Sequence, residues 1–427
     1  MTTIGTRTST RAQRVVITLA LLLAGVGWSA PVAHASPVTG RTSVIKCQFK
    51  DNTEHNETRS PVNTDAQIAD FLINRGTGSL ADYYEQVSDG QISLAGSDIS
   101  GWYTLPLTVA EDRALGGDRG RRILDCAAAA QAAGWTLPPG NQLIVFRNQC
   151  IDGGSWSGRV LIDPCSDLAF TAHEFGHALG RDHSMSDDLT ARFGGGPGEY
   201  DDEWDLMSAM HVDRGPGTGW TSQPVGFNAF NRSMLGLIPA GRILTWPAHS
   251  AGQATLTPLY GSPATSTLPL MVKIPLAPGD PYEYLTVEYR APQGLDAPIG
   301  PAVVQIHGVN GNRSWLLRVT TGRNPTQHIV IGTTAVDVTS TGGPTATVSV
   351  DPDHLLRVPD LVGATRADAT RAVLAAGLAV SLNTRVEPTC AHLGQVIEQQ
   401  PDAGSVVERG SRVLLTLAGH RGPCPIE

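Results

Sequence analysis

Five residues between positions 173 and 183 have the types and spacing of a metal-dependent hydrolytic site. His173 and His177 are four residues apart, so on a helix both imidazoles project from one face and can reach one metal ion. Glu174 lies beside this pair, where a carboxylate can accept a proton from an activated water. His183 reaches the same ion only if the helix ends after His177. Gly180 allows that turn, because glycine adopts left-handed backbone conformations.

A trio of neutral imidazoles that leaves one coordination position open is typical of catalytic rather than structural zinc. We therefore predict that His173, His177 and His183 bind one catalytic Zn²⁺ and that Glu174 is the general base. The alternative is a surface helix on which the histidines fall by chance.

The elements that must position these residues alternate between strand and helix, which indicates an α+β domain over residues 36–240. The zinc helix is predicted to begin at Ser166 or Asp167. Residues 241–351 contain short alternating apolar runs separated by Gly, Pro, Asn and Asp, which predicts a β-rich sandwich or barrel. Further strands and helices are predicted at residues 42–49, 65–74, 79–87, 91–105, 120–133 and 141–146.

The extended pattern HExxHxxGxxH, from His173 to His183, resembles the metzincin clan of zinc endopeptidases. That clan has a tight turn with a methionine beneath the metal, and residues 205–209 resemble this turn, with Met207 as the methionine. Some metzincins bind the metal with a tyrosine two residues after this methionine. This chain has Ala209 there, so we expect four-coordinate resting zinc.

Two further segments resemble the bacterial immune-inhibitor-A-like peptidases and their gametolysin-like relatives. Residues 82–91 and 101–103 are similar to the segment before their zinc helix, and residues 282–290 to the region after their catalytic domain. The resemblance implies a metzincin-like zinc peptidase domain whose substrate is a protein or peptide, with Gly180 and Met207 in supporting roles.

The segments at residues 358–363, 376–378, 400–404 and 409–411 resemble those of a PASTA domain, and we assign residues 356–419 to a PASTA-like module. A helix capped at Thr365 and ended by Gly377 is followed by three strand-like runs, which predicts a small β-α-β-β fold. The likeness implies association with the cell wall, with peptidoglycan as a partner. The alternative is a spacer that binds nothing.

The N-terminus has the pattern of a secretory signal peptide. Arg7, Arg11 and Arg14 precede an uncharged run over residues 15–33, and a small-x-small cleavage site follows. We predict that residues 1–35 are removed, that the protein is secreted and that no transmembrane segment remains. The alternative is an N-terminal membrane anchor.

Six cysteines form an even set, which in an oxidising compartment predicts up to three disulfides. Proximity in sequence favours Cys150–Cys165 and Cys390–Cys424, which leaves Cys47–Cys126 by elimination. The alternative is that some of them are free buried thiols.

The net charge of −9, without a Lys/Arg cluster, argues against a nucleic-acid partner. A loop rich in acidic residues is a weak Ca²⁺ candidate, although its ligand spacing is irregular and a solvated loop is the simpler interpretation. Its acidic residues are Asp187, Asp188, Asp201, Asp202 and Asp205.

These patterns favour a secreted zinc endopeptidase. The alternatives are a cell-wall-binding PASTA protein with a vestigial zinc site, and a zinc hydrolase that acts on something other than peptides.

Overall fold

The computed structural model describes residues 40–55, 62, 64–189, 195–208, 224–263, 265–340 and 342–421. The predicted signal peptide, Ala209 and Cys424 lie outside these ranges, so the predictions that involve them stay predictions. Within the same ranges, no helix combines the length and the hydrophobicity needed to cross a bilayer. The predicted α+β class is confirmed, and the chain is rich in strands.

The helices of the described ranges are α1 (Asp65–Leu72), α2 (Leu80–Val87), α3 (Val109–Arg113), α4 (Arg119–Ala132), α5 (Leu168–Ala178), α6 (Ala229–Met234) and α7 (Arg366–Ala375). The strands are β1 (Thr42–Phe49), β2 (Asp98–Leu105), β3 (Gln142–Arg147), β4 (Gly154–Trp156), β5 (Arg159–Ile162), β6 (Met185–Ser186), β7 (Ile243–Thr245), β8 (Gly252–Leu256), β9 (Met271–Pro275), β10 (Tyr284–Arg290), β11 (Val303–Asn310), β12 (Arg313–Val319), β13 (Thr326–Ile331), β14 (Thr334–Ser340), β15 (Ala346–Asp351), β16 (Leu355–Arg357), β17 (Ala379–Val386), β18 (Val396–Gln400), β19 (Val406–Glu408) and β20 (Arg412–Gly419).

The first sheet has the order β2-β1-β3-β5-β4, with β4 antiparallel to β5 and the other neighbours parallel. Successive side chains of a strand point to opposite faces, so β1 contributes to two hydrophobic clusters. Val44 packs in the cluster that contains Phe175 of α5, and Ile45 packs in the cluster that contains Ile123 of α4. The sheet therefore lies between α5 on one face and α4 on the other.

Two predicted disulfides brace this layer and are confirmed. Cys47–Cys126 joins β1 to α4 with a Cα–Cα distance of 6.0 Å. Cys150–Cys165 encloses β4 and β5 with a Cα–Cα distance of 5.4 Å, and it closes two residues before the cap of α5. The second bridge therefore fixes the edge of the sheet next to the start of the histidine-bearing helix.

The β-rich part consists of two sheets, one with the order β6-β12-β11-β10-β9-β7 and the other with the order β13-β14-β15-β8. Apolar side chains from both sheets, among them Val287 and Val336, share one hydrophobic cluster. The two sheets therefore pack face to face as a sandwich.

Packing is continuous across residue 240, where the sequence predicts a domain boundary. Strand β6 lies two residues after His183, yet it pairs with β12 of the sandwich. The cluster around Met207 also includes Leu259, Met271 and Leu295. The sandwich is therefore in direct contact with the segment that carries the third histidine, whereas the boundary itself stays a prediction.

At the C-terminal end, α7 packs with the three-stranded sheet β17-β20-β18, and the short strands β16 and β19 pair with each other. Thr365 caps α7 by accepting a hydrogen bond from the Asp368 N–H, and Gly377 follows the helix with a φ of +73°.

Candidate metal centre

Helix α5 carries the first two histidines, and both of its ends have a local cause in the sequence. The Asp167 side chain accepts a hydrogen bond from the Phe170 N–H at 2.7 Å, which caps the first turn. At the other end Gly180 has a φ of +83°. The Gly180 N–H donates to the His177 carbonyl and the Arg181 N–H to the Gly176 carbonyl, which is a Schellman motif. The chain therefore turns back immediately before His183.

The three predicted ligands meet at one point. One ring nitrogen from each of His173, His177 and His183 lies within 4.8 Å of the other two. His173 is almost fully buried and the other two are partly exposed, so the cluster opens to solvent on one side. The described residues contain one other cluster with the spacing of metal ligands, which consists of Cys150, Asp163 and Cys165. Its two cysteines form a disulfide, so their sulfurs are not available to a metal.

The hydrogen bonds of the outer ring nitrogens fix the orientation of all three imidazoles. His173 Nδ1 lies 2.8 Å from the Leu206 carbonyl, and His177 Nδ1 lies 2.7 Å from the Arg181 carbonyl. Because a carbonyl only accepts, both Nδ1 atoms carry hydrogen. His183 Nδ1 lies 2.6 Å from Glu199 Oε1 in the same way. In neutral rings each Nε2 then carries a lone pair that can bind a cation.

These lone pairs make the site fit a zinc ion. The Nε2 atoms of His173 and His177 are only 3.1 Å apart, and two facing lone pairs repel unless a cation lies between them. Tetrahedral zinc with bonds of about 2.0–2.1 Å separates its ligands by about 3.3 Å, close to this distance. Burial lowers the pKa of His173 to about 3 and also lowers the pKa of His183, which keeps both rings neutral at pH 7.

Glu174 is buried beside the histidines and faces the edge strand β4. Its carboxylate interacts with the hydroxyl and the backbone N–H of Ser155. Burial raises the pKa of Glu174, although the neighbouring Arg119 cation and the hydrogen bonds from Ser155 oppose this shift. The carboxylate is therefore in a water-poor position beside the histidines, as a general base requires.

The predicted methionine turn packs against the histidine-bearing helix α5. Met207 is fully buried, and its sulfur lies against Gly176, where a side chain would collide with it. The Met207 carbonyl accepts the Ser184 N–H at 2.8 Å, next to His183, while the preceding carbonyl of Leu206 holds His173. One turn thus fixes both the helix and the segment of the third histidine.

His183 has two neighbours that no sequence motif indicates. Glu199 accepts its Nδ1 hydrogen, and the Tyr200 hydroxyl lies 3.0 Å from its Nε2. Tyr200 has a φ of +62°, an unusual conformation for a tyrosine, and its N–H donates to the Ser184 carbonyl. The signal in the sequence was weak, because an acid and a tyrosine after a glycine-rich loop form no recognised motif.

The described acidic side chains of the Ca²⁺ candidate have protein partners. Asp187 pairs with Arg318, Asp202 with His307, and Asp205 accepts hydrogen bonds from Asn228 and Asn231. The Ca²⁺ site stays a prediction.

We expect Glu199→Ala to weaken zinc binding by roughly 10- to 100-fold, because the His183 ring loses the acceptor that fixes its orientation and its tautomer. Glu199→Gln, which keeps an acceptor oxygen, should weaken it less. Titration against a chromophoric chelator measures both. Equal affinities for Glu199→Ala and the parent would contradict this role.

Comparison with known proteins gives a match at the C-terminal end. Residues 356–419 match the PASTA domain family. No match to a peptidase family is found, and no curated protein matches the chain. The metzincin resemblance therefore stays a hypothesis that rests on the motif and the geometry above. Residues 356–419 are a PASTA domain.

Proposed function

We propose that this protein is a secreted zinc endopeptidase held near the cell wall by its PASTA domain. The observation that carries the proposal is the convergence of three imidazoles, each with its Nδ1 bonded to an acceptor, beside the buried Glu174. A structural zinc site would have no need of that carboxylate, and it would not leave the cluster open to solvent.

His173, His177 and His183 would hold the zinc ion through Nε2. When bound there, zinc supplies Lewis acidity that lowers the pKa of water and polarises a carbonyl group. Glu174 accepts the proton of the attacking water and returns it to the leaving amine. Tyr200 directs its hydroxyl at the same nitrogen cluster, so it can donate a hydrogen bond to a substrate oxygen that becomes negative.

The edge strand β4 favours a peptide over other substrates. In the described sheet β4 pairs only with β5, so the backbone groups on its other side have no strand partner. An extended peptide can add to such an edge as one more strand. Because Glu174 faces Ser155 of β4, a peptide on this edge would run beside the base.

The PASTA domain suggests the location. PASTA domains are extracellular or related to the cell wall, and they suggest binding to peptidoglycan. Together with the predicted signal peptide, this favours a secreted enzyme that acts at the cell surface. The same match supports the second candidate, a wall-binding protein whose zinc site is vestigial. The presence of Glu174 argues against it, because a degenerate site has no use for a base.

Two assays on the secreted protein separate these candidates. We expect the protein to digest casein or gelatin, to lose this activity with 1,10-phenanthroline and to regain it when zinc is added back. We also expect it to sediment with purified peptidoglycan. Sedimentation without any hydrolysis in the presence of zinc would contradict the peptidase and favour the binding protein.

A further inference from the structure

An arginine lies against the edge strand beside the candidate active site. Arg119 is the first residue of α4, and its guanidinium packs on the backbone of Gly154 in β4. A side chain at Gly154 would occupy the same space as this guanidinium, and Gly154 has a φ of +141°. The next residue along β4 is Ser155, which faces Glu174. Arg119 is therefore close to where a bound peptide would run.

Arg119 lies at the end of a chain of ion pairs in which three arginines share two aspartates. Arg119 and Arg122 share Asp152, at 3.1 and 2.8 Å. Arg122 and Arg147 share Asp112, at 3.1 and 2.8 Å. Three guanidinium groups thus share two carboxylates through direct contacts. Arg122, Arg147 and Asp112 are buried, whereas the Arg119 side chain is 37% exposed, so Arg119 is the cation of this chain that a ligand can reach.

The charge of Arg119 acts on the site itself. The Arg119 cation is close enough to interact electrostatically with the Glu174 carboxylate and the Tyr200 hydroxyl. Glu174 belongs to α5 and Tyr200 to the segment after β6, so the Arg119 cation is near two segments of the site. Its Nε is buried and makes no hydrogen bond to the described residues.

We propose that Arg119 binds an acidic side chain of the substrate, so that the peptidase prefers Asp or Glu at a position next to the scissile bond. This inference rests on the proposed function and names its substrate class. A carboxylate is the natural partner because it accepts paired hydrogen bonds from a guanidinium. The net charge of −9 does not oppose this contact, because repulsion from distant charges is screened beyond about 8–10 Å at physiological ionic strength.

The test uses peptide pairs that are identical except for Glu or Gln at each position flanking the cleaved bond. At one flanking position we expect the parent to cleave the Glu peptide with a kcat/KM about fivefold higher. Arg119→Gln should cleave both at equal rates, and Arg119→Lys should keep part of the preference. Arg121→Gln is the matched control, because Arg121 lies on the same helix and pairs with Asp125. It should keep the full preference.

Two outcomes would overturn the inference. The first is a parent enzyme without any preference for Glu peptides. The second is an Arg119→Gln variant that cleaves both peptides more slowly by the same factor and so keeps the preference for Glu. That result would mean that Arg119 acts only through Glu174.

Binding of the same peptide pairs to Glu174→Gln, with and without the second substitution Arg119→Gln, separates this inference from the proposed function. Fluorescence anisotropy measures this binding. If no peptide is hydrolysed, the proposed function fails. Tighter binding of the Glu peptide that depends on Arg119 would still support the arginine site, and equal binding would overturn it.

Discussion

Glu174→Gln is expected to lower kcat/KM for protein substrates by roughly 10³-fold, within the range that general-base catalysis contributes. The amide has nearly the same shape as the carboxylate but cannot take up the proton of the attacking water. Zinc should stay bound, because the three converging nitrogens belong to histidines and Glu174 is not one of the ligands. Hydrolysis of a fluorogenic peptide and the zinc content of the purified variant test the two halves of this prediction.

The control for this variant removes the metal instead of the base. His183→Ala should lose both zinc and activity, whereas Glu174→Gln should lose activity alone. If Glu174→Gln cleaves as fast as the parent, Glu174 is not the base. If it loses its zinc, Glu174 has a structural role at the site.

The local part of the site could be predicted because its geometry follows from short-range rules. The spacing of His173 and His177 places both rings on one helical face, and a glycine at position 180 ends that helix. The strand at residues 42–49 and the cap of α5 at Asp167 follow in the same way from side-chain alternation and from capping chemistry. Each of these features depends on a few neighbouring residues.

The rest of the site depends on contacts between distant segments, which leave little trace in one sequence. Glu199 and Tyr200 follow α5 only after a long loop, and they contact His183 when that loop folds back. Arg119 lies far before α5 in the chain and contacts β4 because α4 packs against the sheet. Strand β6 has only two residues, and it forms because it pairs with β12, which lies about 130 residues later in the chain.

The sandwich contributes a buried ion pair to the loop that supports the site. His307 of β11 and Asp202 are both fully buried, and His307 Nε2 lies 3.0 Å from Asp202 Oδ2. Asp202 also holds the methionine turn, because its N–H donates to the Ser208 hydroxyl at 2.8 Å. Burial lowers the pKa of His307, but the charges of Asp202 and Glu288 outweigh it, so the pKa is raised overall.

His307→Ala is therefore expected to lower the free energy of unfolding by about 3–5 kcal/mol, because Asp202 would stay buried without its cation. The effect should depend on pH. A histidine whose pKa is raised by folding contributes its full stabilisation below its unfolded value of about 6.5 and loses it as the pH rises through the folded value. The parent should therefore lose stability above pH 6.5 more steeply than His307→Ala does. Urea unfolding at several pH values between 6 and 9 measures both.

The double variant Asp202→Asn/His307→Ala is the matched control, because it removes the unpaired charge together with its partner. It should be more stable than His307→Ala alone, which a simple loss of packing volume at position 307 would not produce. If the double variant is less stable than His307→Ala, the ion pair is not what position 307 contributes. If the pair does hold the methionine turn, zinc affinity should fall in His307→Ala and recover in part in the double variant, because the turn binds His173 through the Leu206 carbonyl.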